Sequence, residues 1–419
     1  MLACGPDGAV VDGGGESGGD DTPASIGGTS TGDADASTSA DTTSAIDEST
    51  SGGSSESGDA VALCLHREPL AAIAGTLDAI AVADVDGDGR AELWQPSQTW
   101  DPAREILTQG LVAYVASPDG SADEIADATF EGAFQRFMDI DGDGHDDVVA
   151  RSLAGAGDWF WLAGRDDATF AGEPQPISFP AEPPAFLRHA YDGDGDGDVD
   201  LFTQPPGEPG DPVLVLWLGD GTGGFATGGT LPIATEGSVE HVARTPEAGV
   251  FIVDASNGAV GFGVENTLFR VTIDRDGTMT TVAQTEPASQ NLLAARDLDG
   301  DAATDLLVSG SEQEIHGWRA VGLDYERVLL AENARTAHAG DFLGEGTTQV
   351  LVGGSDDALV LLHAPLDPAG LRTPVDGELD SSEREDIDVD ADGRTELLER
   401  GYDSEAGYSY SIAEVVPCG

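Results

Sequence analysis

The sequence predicts an all-β protein, a seven-bladed β-propeller preceded by a disordered N-terminal tether. Three observations predict it. An acidic loop with fixed carboxylate spacing occurs five times at a long, regular interval. Short β-rich runs fill the intervals, about four to each repeat. The last repeat holds one run too few, and a spare run stands where the β-rich part of the chain begins.

The loop is clearest at Asp192-Gly-Asp194-Gly-Asp196-Gly-Asp198-Val-Asp200, with carboxylates at positions 1, 3, 5 and 9. The same positions hold Asp84, Asp86, Asp88 and Glu92 in one copy and Asp139, Asp141, Asp143 and Asp147 in another. Asp297, Asp299, Asp301 and Asp305 make a fourth; Asp388, Asp390, Asp392 and Glu396 make a fifth. Carboxylates so close repel one another, and a hard divalent cation removes the repulsion. Ca²⁺ takes about six to eight oxygens at roughly 2.3–2.6 Å. Glycines between the carboxylates let the chain wrap tightly. About five Ca²⁺ sites are expected, each completed by the backbone carbonyl of position 7.

The first Asp of each loop stands at 84, 139, 192, 297 and 388, so the gaps are 55, 53, 105 and 91 residues. The last two gaps are close to double the first two, and each contains a degenerate copy. His241 to Val253 keeps the flanking β-runs without ligands, and Asp341 to Gln349 keeps the loop length with Leu343 and Gln349 in place of carboxylates. Seven units of about fifty residues therefore fill 61–419, a period of propellers and solenoids.

In chain order, Met1-Leu2-Ala3-Cys4 resembles the end of a bacterial lipoprotein signal, with Cys4 the lipidated residue. The basic and apolar regions of such a signal are expected upstream of Met1. Residues 5–60 are mostly Gly, Ser, Thr, Ala and Asp, with no aromatic and no basic residue. Such a stretch buries too little apolar area to offset chain entropy, which predicts a disordered linker. From Val61 the texture becomes β-rich, as in Ala79–Ala83 and Val350–Val352. In the third unit the expected strands are Ala185–Tyr191, Val199–Thr203, Val213–Leu218 and Thr230–Ala234, with the acidic loop between the first two. The final unit offers only three strands, ending in Thr395–Arg400 and Tyr408–Val416. Val61–Leu65 is the fourth, which closes the ring through a blade shared by both ends.

With these loops and strands, 61–419 resembles the FG-GAP/VCBS repeats of integrin-α-like propellers. The resemblance implies calcium loops between the first and second strands of each blade. Departures are Ala302 at position 6, Ala391 at position 4 and the two degenerate units.

Other calcium loops fit less well. An EF-hand needs a bidentate Glu at position 12 and flanking helices; position 12 is Gln95, Ala150, Thr203, Val308 and Glu399. The bland alternative is a set of solvated acidic turns. The formal charge of −61, with no Lys, disfavours nucleic acid and anionic lipid as partners. No apolar run is long enough to span a membrane, so membrane contact is expected only through lipid on Cys4.

None of the seven His forms a His-Glu-x-x-His pair, and a non-enzymatic chain is expected. One register keeps chemistry in view. Three residues before the first Asp of a loop stand Ala81, Arg136, His189, Ala294, His338 and Glu385. If that side faces the axis, Arg136, His189, His338 and Glu385 form a polar belt.

Only three Cys occur. With Cys4 assigned to lipid, Cys64 and Cys418 remain for one disulfide in an oxidising compartment, and the shared blade places them on neighbouring strands. The expected function is an exported, monomeric, calcium-stabilised surface module that binds a protein or glycan. The rivals are a propeller-based polysaccharide lyase or hydrolase, and a structural surface protein without a specific ligand.

Overall fold

The structure is a computed structural model. It describes residues 62–418 apart from 71–72, 74–79, 102–105, 118, 153–157, 181–183, 185, 205–212, 233–238, 246, 248, 257–264, 286–287, 289, 323, 355–357, 368, 378, 380–383, 391 and 404–406. Both the lipid expected on Cys4 and the linker expected over 5–60 lie outside the described residues.

Strand β1 is Leu63–Pro69. The first four-stranded sheet then follows as β2 (Ala81–Ala83), β3 (Glu92–Asp101), β4 (Ile106–Ala116) and β5 (Ala122–Glu131). The second holds β6 (Ala133–Met138), β7 (Asp147–Arg151), β8 (Trp159–Leu162) and β9 (Gln175–Pro176). The third holds β10 (Phe186–Tyr191), β11 (Asp200–Gln204), β12 (Val213–Gly219) and β13 (Phe225–Pro232). The fourth is β14 (Val239–Arg244), β15 (Val250–Ser256), β16 (Asn266–Ile273) and β17 (Met279–Gln284). The fifth is β18 (Gln290–Arg296), β19 (Asp305–Gly310), β20 (Ile315–Val321) and β21 (Asp324–Ala331). An eight-stranded sheet completes the set. One half is β22 (Ala334–Gly340), β23 (Gln349–Gly354), β24 (Leu359–Leu362) and β25 (Arg372–Asp376). The other half is β26 (Arg384–Ile387), β27 (Glu396–Asp403), β28 (Gly407–Pro417) and β1. The halves meet where β1 runs parallel to β25, through Leu63↔Val375 and Cys64↔Asp376.

Each four-stranded sheet is an antiparallel meander, and the second strand is buried over most of its length in most units. In β7 and β11 four of five residues are buried, and in β15 all are. A strand sandwiched between two neighbours reads as a continuous apolar run, which is why Val148-Val149-Ala150 does not alternate. The outermost strands keep exposed positions, as in β5 and β25.

The apolar clusters fall between sheets and close a cycle. Trp94 and Val148 share one across the first and second sheets, and Trp161 and Trp217 share the next. Phe202 and Phe251, then Ile252 and Leu306, then Leu307 and Val350 carry it onward. Leu361 and Val415 join the two halves of the large sheet. Leu93 and Ile412 return it to the first sheet. This is a β-propeller, and each sheet buries its faces against two neighbours.

β1 supplies the outer strand of the last unit, pairing with β28 from Leu63↔Pro417 to Pro69↔Ser411. It begins two residues later than the expected Val61–Leu65 and runs four further. The fourth strand of the third unit also differs, since β13 begins at Phe225 rather than at Thr230. Ala226–Gly229 has weak β propensity, yet pairing of Gly219↔Phe225, Leu218↔Ala226 and Trp217↔Thr227 holds it in the sheet. Tertiary pairing overrides propensity there.

Candidate metal centre

Each acidic loop lies between the first and second strands of its unit, so its ends are fixed by the sheet. Glycine at positions 4 and 6 takes the left-handed region, with φ of 71° at Gly142 and 90° at Gly144. This turns successive N–H groups inward. Position 1 accepts from the N–H of position 6: Asp84 Oδ2 from Gly89 at 3.0 Å, Asp139 Oδ2 from Gly144 at 2.9 Å, Asp388 Oδ2 from Gly393 at 3.0 Å. Position 5 accepts from position 7, as in Asp143 from His145 at 3.0 Å.

Position 9 opens the second strand and is buried. Asp147 Oδ2 accepts from the Ile140 N–H at 2.7 Å, and its Oδ1 accepts from Gly164 at 2.8 Å. Asp200 does the same with Gly193 and Gly219, and Asp305 with Leu298 and Ala320. Glu92 and Glu396 accept from Val85 and Val389. This carboxylate therefore ties its loop to the sheet. Burial, with the neighbouring carboxylates behind it, pushes Glu92, Asp147, Asp200 and Glu396 up to about 7 and Asp305 to about 6.

Oxygens converge in all five loops. Asp84, Asp86, Asp88 and Glu92 each place a carboxylate oxygen within 4.8 Å of the others. So do Asp139, Asp141 and Asp147; Asp192, Asp194 and Asp200; Asp297, Asp299 and Asp305; and Asp388, Asp390 and Asp392. Asp143, Asp196, Asp301 and Glu396, the other expected ligands, stand outside those groups. Position 5 bonds the N–H of position 7 both outside a group, as in Asp143, Asp196 and Asp301, and inside one, as in Asp88 and Asp392. Spacing alone does not show how a carboxylate divides itself between backbone and cluster.

The donors suit a hard cation. All are oxygens, as Ca²⁺ and Mg²⁺ require. Asp84 Oδ1, Asp141 Oδ1 and Asp388 Oδ1 are buried without a hydrogen-bond partner, a costly state for a carboxylate that a cation relieves. The degenerate sixth loop shows the converse. Gln349 is fully buried, and its Nε2 donates to Thr347 O at 2.7 Å and to Asp341 Oδ1 at 3.5 Å. An amide there supplies the positive end that a cation would supply in the acidic loops.

Ala302 occupies position 6 of the fourth loop at φ 68°, where an L-residue is strained. Ala302→Gly is expected to raise stability by about 1 kcal/mol, roughly 2 °C in melting temperature. An unchanged or lower melting point would contradict the strain.

The pKa shifts give a pH dependence. The five position-9 groups titrate near 6–7 in the folded chain and near 4 unfolded. Their contribution without metal is complete below about pH 4 and is lost as pH rises through 6–7. A cation binds the deprotonated form and releases protons. Melting in EDTA should therefore fall between pH 5 and 8, and the gain from added Ca²⁺ should widen over that window. A gap independent of pH would refute this.

The inner strands bring part of the expected belt together. Ala81, Arg136, His189, Ala294, His338 and Glu385 each pair with the residue two beyond position 9 or its equivalent, as in Arg136↔Val149 and His189↔Phe202. His241 holds this register in the fourth unit, opposite Asp254. Sequence reasoning missed it because that unit has no acidic loop to count from. The His189 and His241 rings lie 4.9 Å apart, nearly perpendicular. Burial, the Arg136 guanidinium and His241 push His189 down to about 3. His338 instead bonds Thr336 Oγ1 at 3.1 Å, and the side chain of Glu385 lies outside the described residues.

Residues 139–202 match the family model for the FG-GAP-like repeat. The match runs from the first Asp of one acidic loop through the whole of the next, one full period. The chain is thus a β-propeller carrying FG-GAP-like repeat sequence. Among solved structures it is similar to BBS1N in complex with ARL6DN, at 12% identity over 86% of this chain and 98% of that one, with a TM-score of 0.46. It is also similar to the periplasmic gluconolactonase PpgL of Pseudomonas aeruginosa, at 13% identity over 72% and 97%, with a TM-score of 0.40. Neither likeness bears on function. No curated protein matches the chain.

Proposed function

We propose that this chain is an exported, calcium-stabilised binding module, a seven-bladed propeller that engages a protein or glycan at a bacterial cell surface. Its membrane attachment would be lipid on Cys4; among the described residues no helix is long and apolar enough to cross a membrane. The observation that carries the reading is the repetition of one convergent carboxylate cluster at the same place in five units. Catalysis is normally asymmetric and needs one such place, whereas clamping a ring needs many. The Cys64–Cys418 disulfide supports an oxidising, extracytoplasmic compartment.

An enzymatic reading would rest on Arg136, His189 and His241. An imidazole held near 3 is a weak base at neutral pH, which weighs against it. Calorimetric titration of the metal-free chain with Ca²⁺ is expected to show about five sites in the range of about 10⁻⁴–10⁻³ M. The loaded protein should adhere to intact bacterial envelopes and the EDTA-treated protein should not. Equal adhesion in both states, or no adhesion in either, would count against the reading. Mass spectrometry of the mature N-terminus tests the lipid.

A further inference from the structure

A cleft of about 330 Å³ opens between the fourth and fifth sheets, lined by Arg270, Gln284, Thr285, Trp318, Asp324 and Tyr325 over an apolar floor of Ile252 and Leu306. Its size is at the lower end for small-molecule sites, which begin at about 300 Å³. No acidic loop contributes to its lining.

The propeller's own repetition shows what is unusual here. Trp217 and Trp318 are equivalent, since they pair with Leu201 and Leu306 directly after position 9 of their units. Phe225 and Tyr325 are equivalent too, each opposite the residue two beyond the Trp. In the third unit this aromatic pair is closed off. Phe179 packs on both, 5.2 Å from Trp217 and 5.6 Å from Phe225, and the Trp217 indole N–H donates to Thr203 Oγ1 at 2.9 Å. In the fifth unit Val308 stands where Thr203 would be, and Trp318 Nε1 has no partner. Trp318 and Tyr325 lie 6.3 Å apart at 52°, and no third ring packs on them among the described residues.

Two further polar groups of the cleft are unsatisfied. The Tyr325 hydroxyl and Arg270 Nε are buried without a hydrogen-bond partner. The Arg270 charge is already spent: Nη2 donates to both Glu247 oxygens at 2.8 Å, and Nη1 donates to Gly322 O at 3.1 Å. Burial pushes the Tyr325 phenol up to about 12, so it keeps its proton.

We propose that this cleft binds a neutral sugar residue. Its hydroxyls would accept from Trp318 Nε1, the Tyr325 hydroxyl and Arg270 Nε, and donate to Asp324 and Gln284 at the rim. Its C–H face would lie on the rings, whose faces carry partial negative charge. An anionic ligand fits poorly, because Glu247 neutralises Arg270, Asp324 is exposed at the rim, and the whole chain carries −61. A purely apolar ligand would leave three donors unpaired, which is costly.

The inference rests on the binding-module reading and deepens it. The test is a panel of neutral glucans, galactans, mannans, xylans and chitin oligosaccharides against the calcium-loaded protein. Binding to at least one is expected, with affinity lowered at least tenfold in Tyr325→Phe and in Trp318→Leu. Tyr325→Phe removes one oxygen, so its melting curve in calcium should match that of the parent. Binding that both variants leave intact would overturn the cleft while sparing the module. Failure of the parent to bind any neutral glycan, with adhesion to envelopes preserved, would overturn the sugar alone. Loss of both would remove both readings.

Discussion

Excess EDTA is expected to lower the melting temperature by about 10 °C or more at pH 7.5. The reason is local. Five loops hold three or four converging carboxylates each, and three of their oxygens are buried without partners. A ligand that binds only the folded chain at a hundred times its dissociation constant adds about 2.7 kcal/mol per site. Five such sites act on one cooperative ring. Each loop joins the first two strands of its unit, so a bound cation would clamp those strands together. Loops also touch across units: the Asp146 N–H donates to Asp84 O at 2.9 Å, and the Asp84 N–H donates to Asp146 Oδ2 at 3.0 Å. Loosening one loop therefore loosens the next. Differential scanning calorimetry with EDTA, with Ca²⁺ and with Mg²⁺ measures this. Superimposable curves would remove calcium from the account.

Cys64→Ser is expected to destabilise the calcium-loaded chain by as much as about 5–6 kcal/mol, the chain-entropy value for so long a loop. Cys64 and Cys418 are bonded, with Cα atoms 5.1 Å apart and a sequence separation of 354. The bond sits where the ring is made from both ends of the folded chain. Around it, β1 pairs with β28 on one side and with β25 on the other, and the Cys418 N–H donates to Ala62 O at 2.8 Å. Every other blade is held by its own hairpins; this one is held by strands from opposite ends. Loss of the bond should first release β1, so hydrogen exchange should accelerate across Leu63–Pro69 before it does elsewhere. Melting and exchange indistinguishable from the parent would show that strand pairing alone latches the ring.

The sequence by itself determined the repeat. Carboxylates at fixed spacing, the doubled gaps and the strand missing from the last unit needed no coordinates, because each is a property of order along the chain. The same logic paired Cys64 with Cys418, since only two Cys fall within the folded unit and the shared blade puts their strands side by side. Tertiary structure decided what depends on direction and neighbours. It set which carboxylate oxygens converge: Asp88 and Asp392 join their groups, whereas Asp143, Asp196 and Asp301 stand outside theirs. It placed His241 beside His189, a contact between residues of different units for which no loop gives a count. It left the Trp318–Tyr325 cleft open while Phe179 filled its counterpart. Spacing fixes which residues share a loop, but whether a buried atom finds a partner is settled only when separate blades pack together.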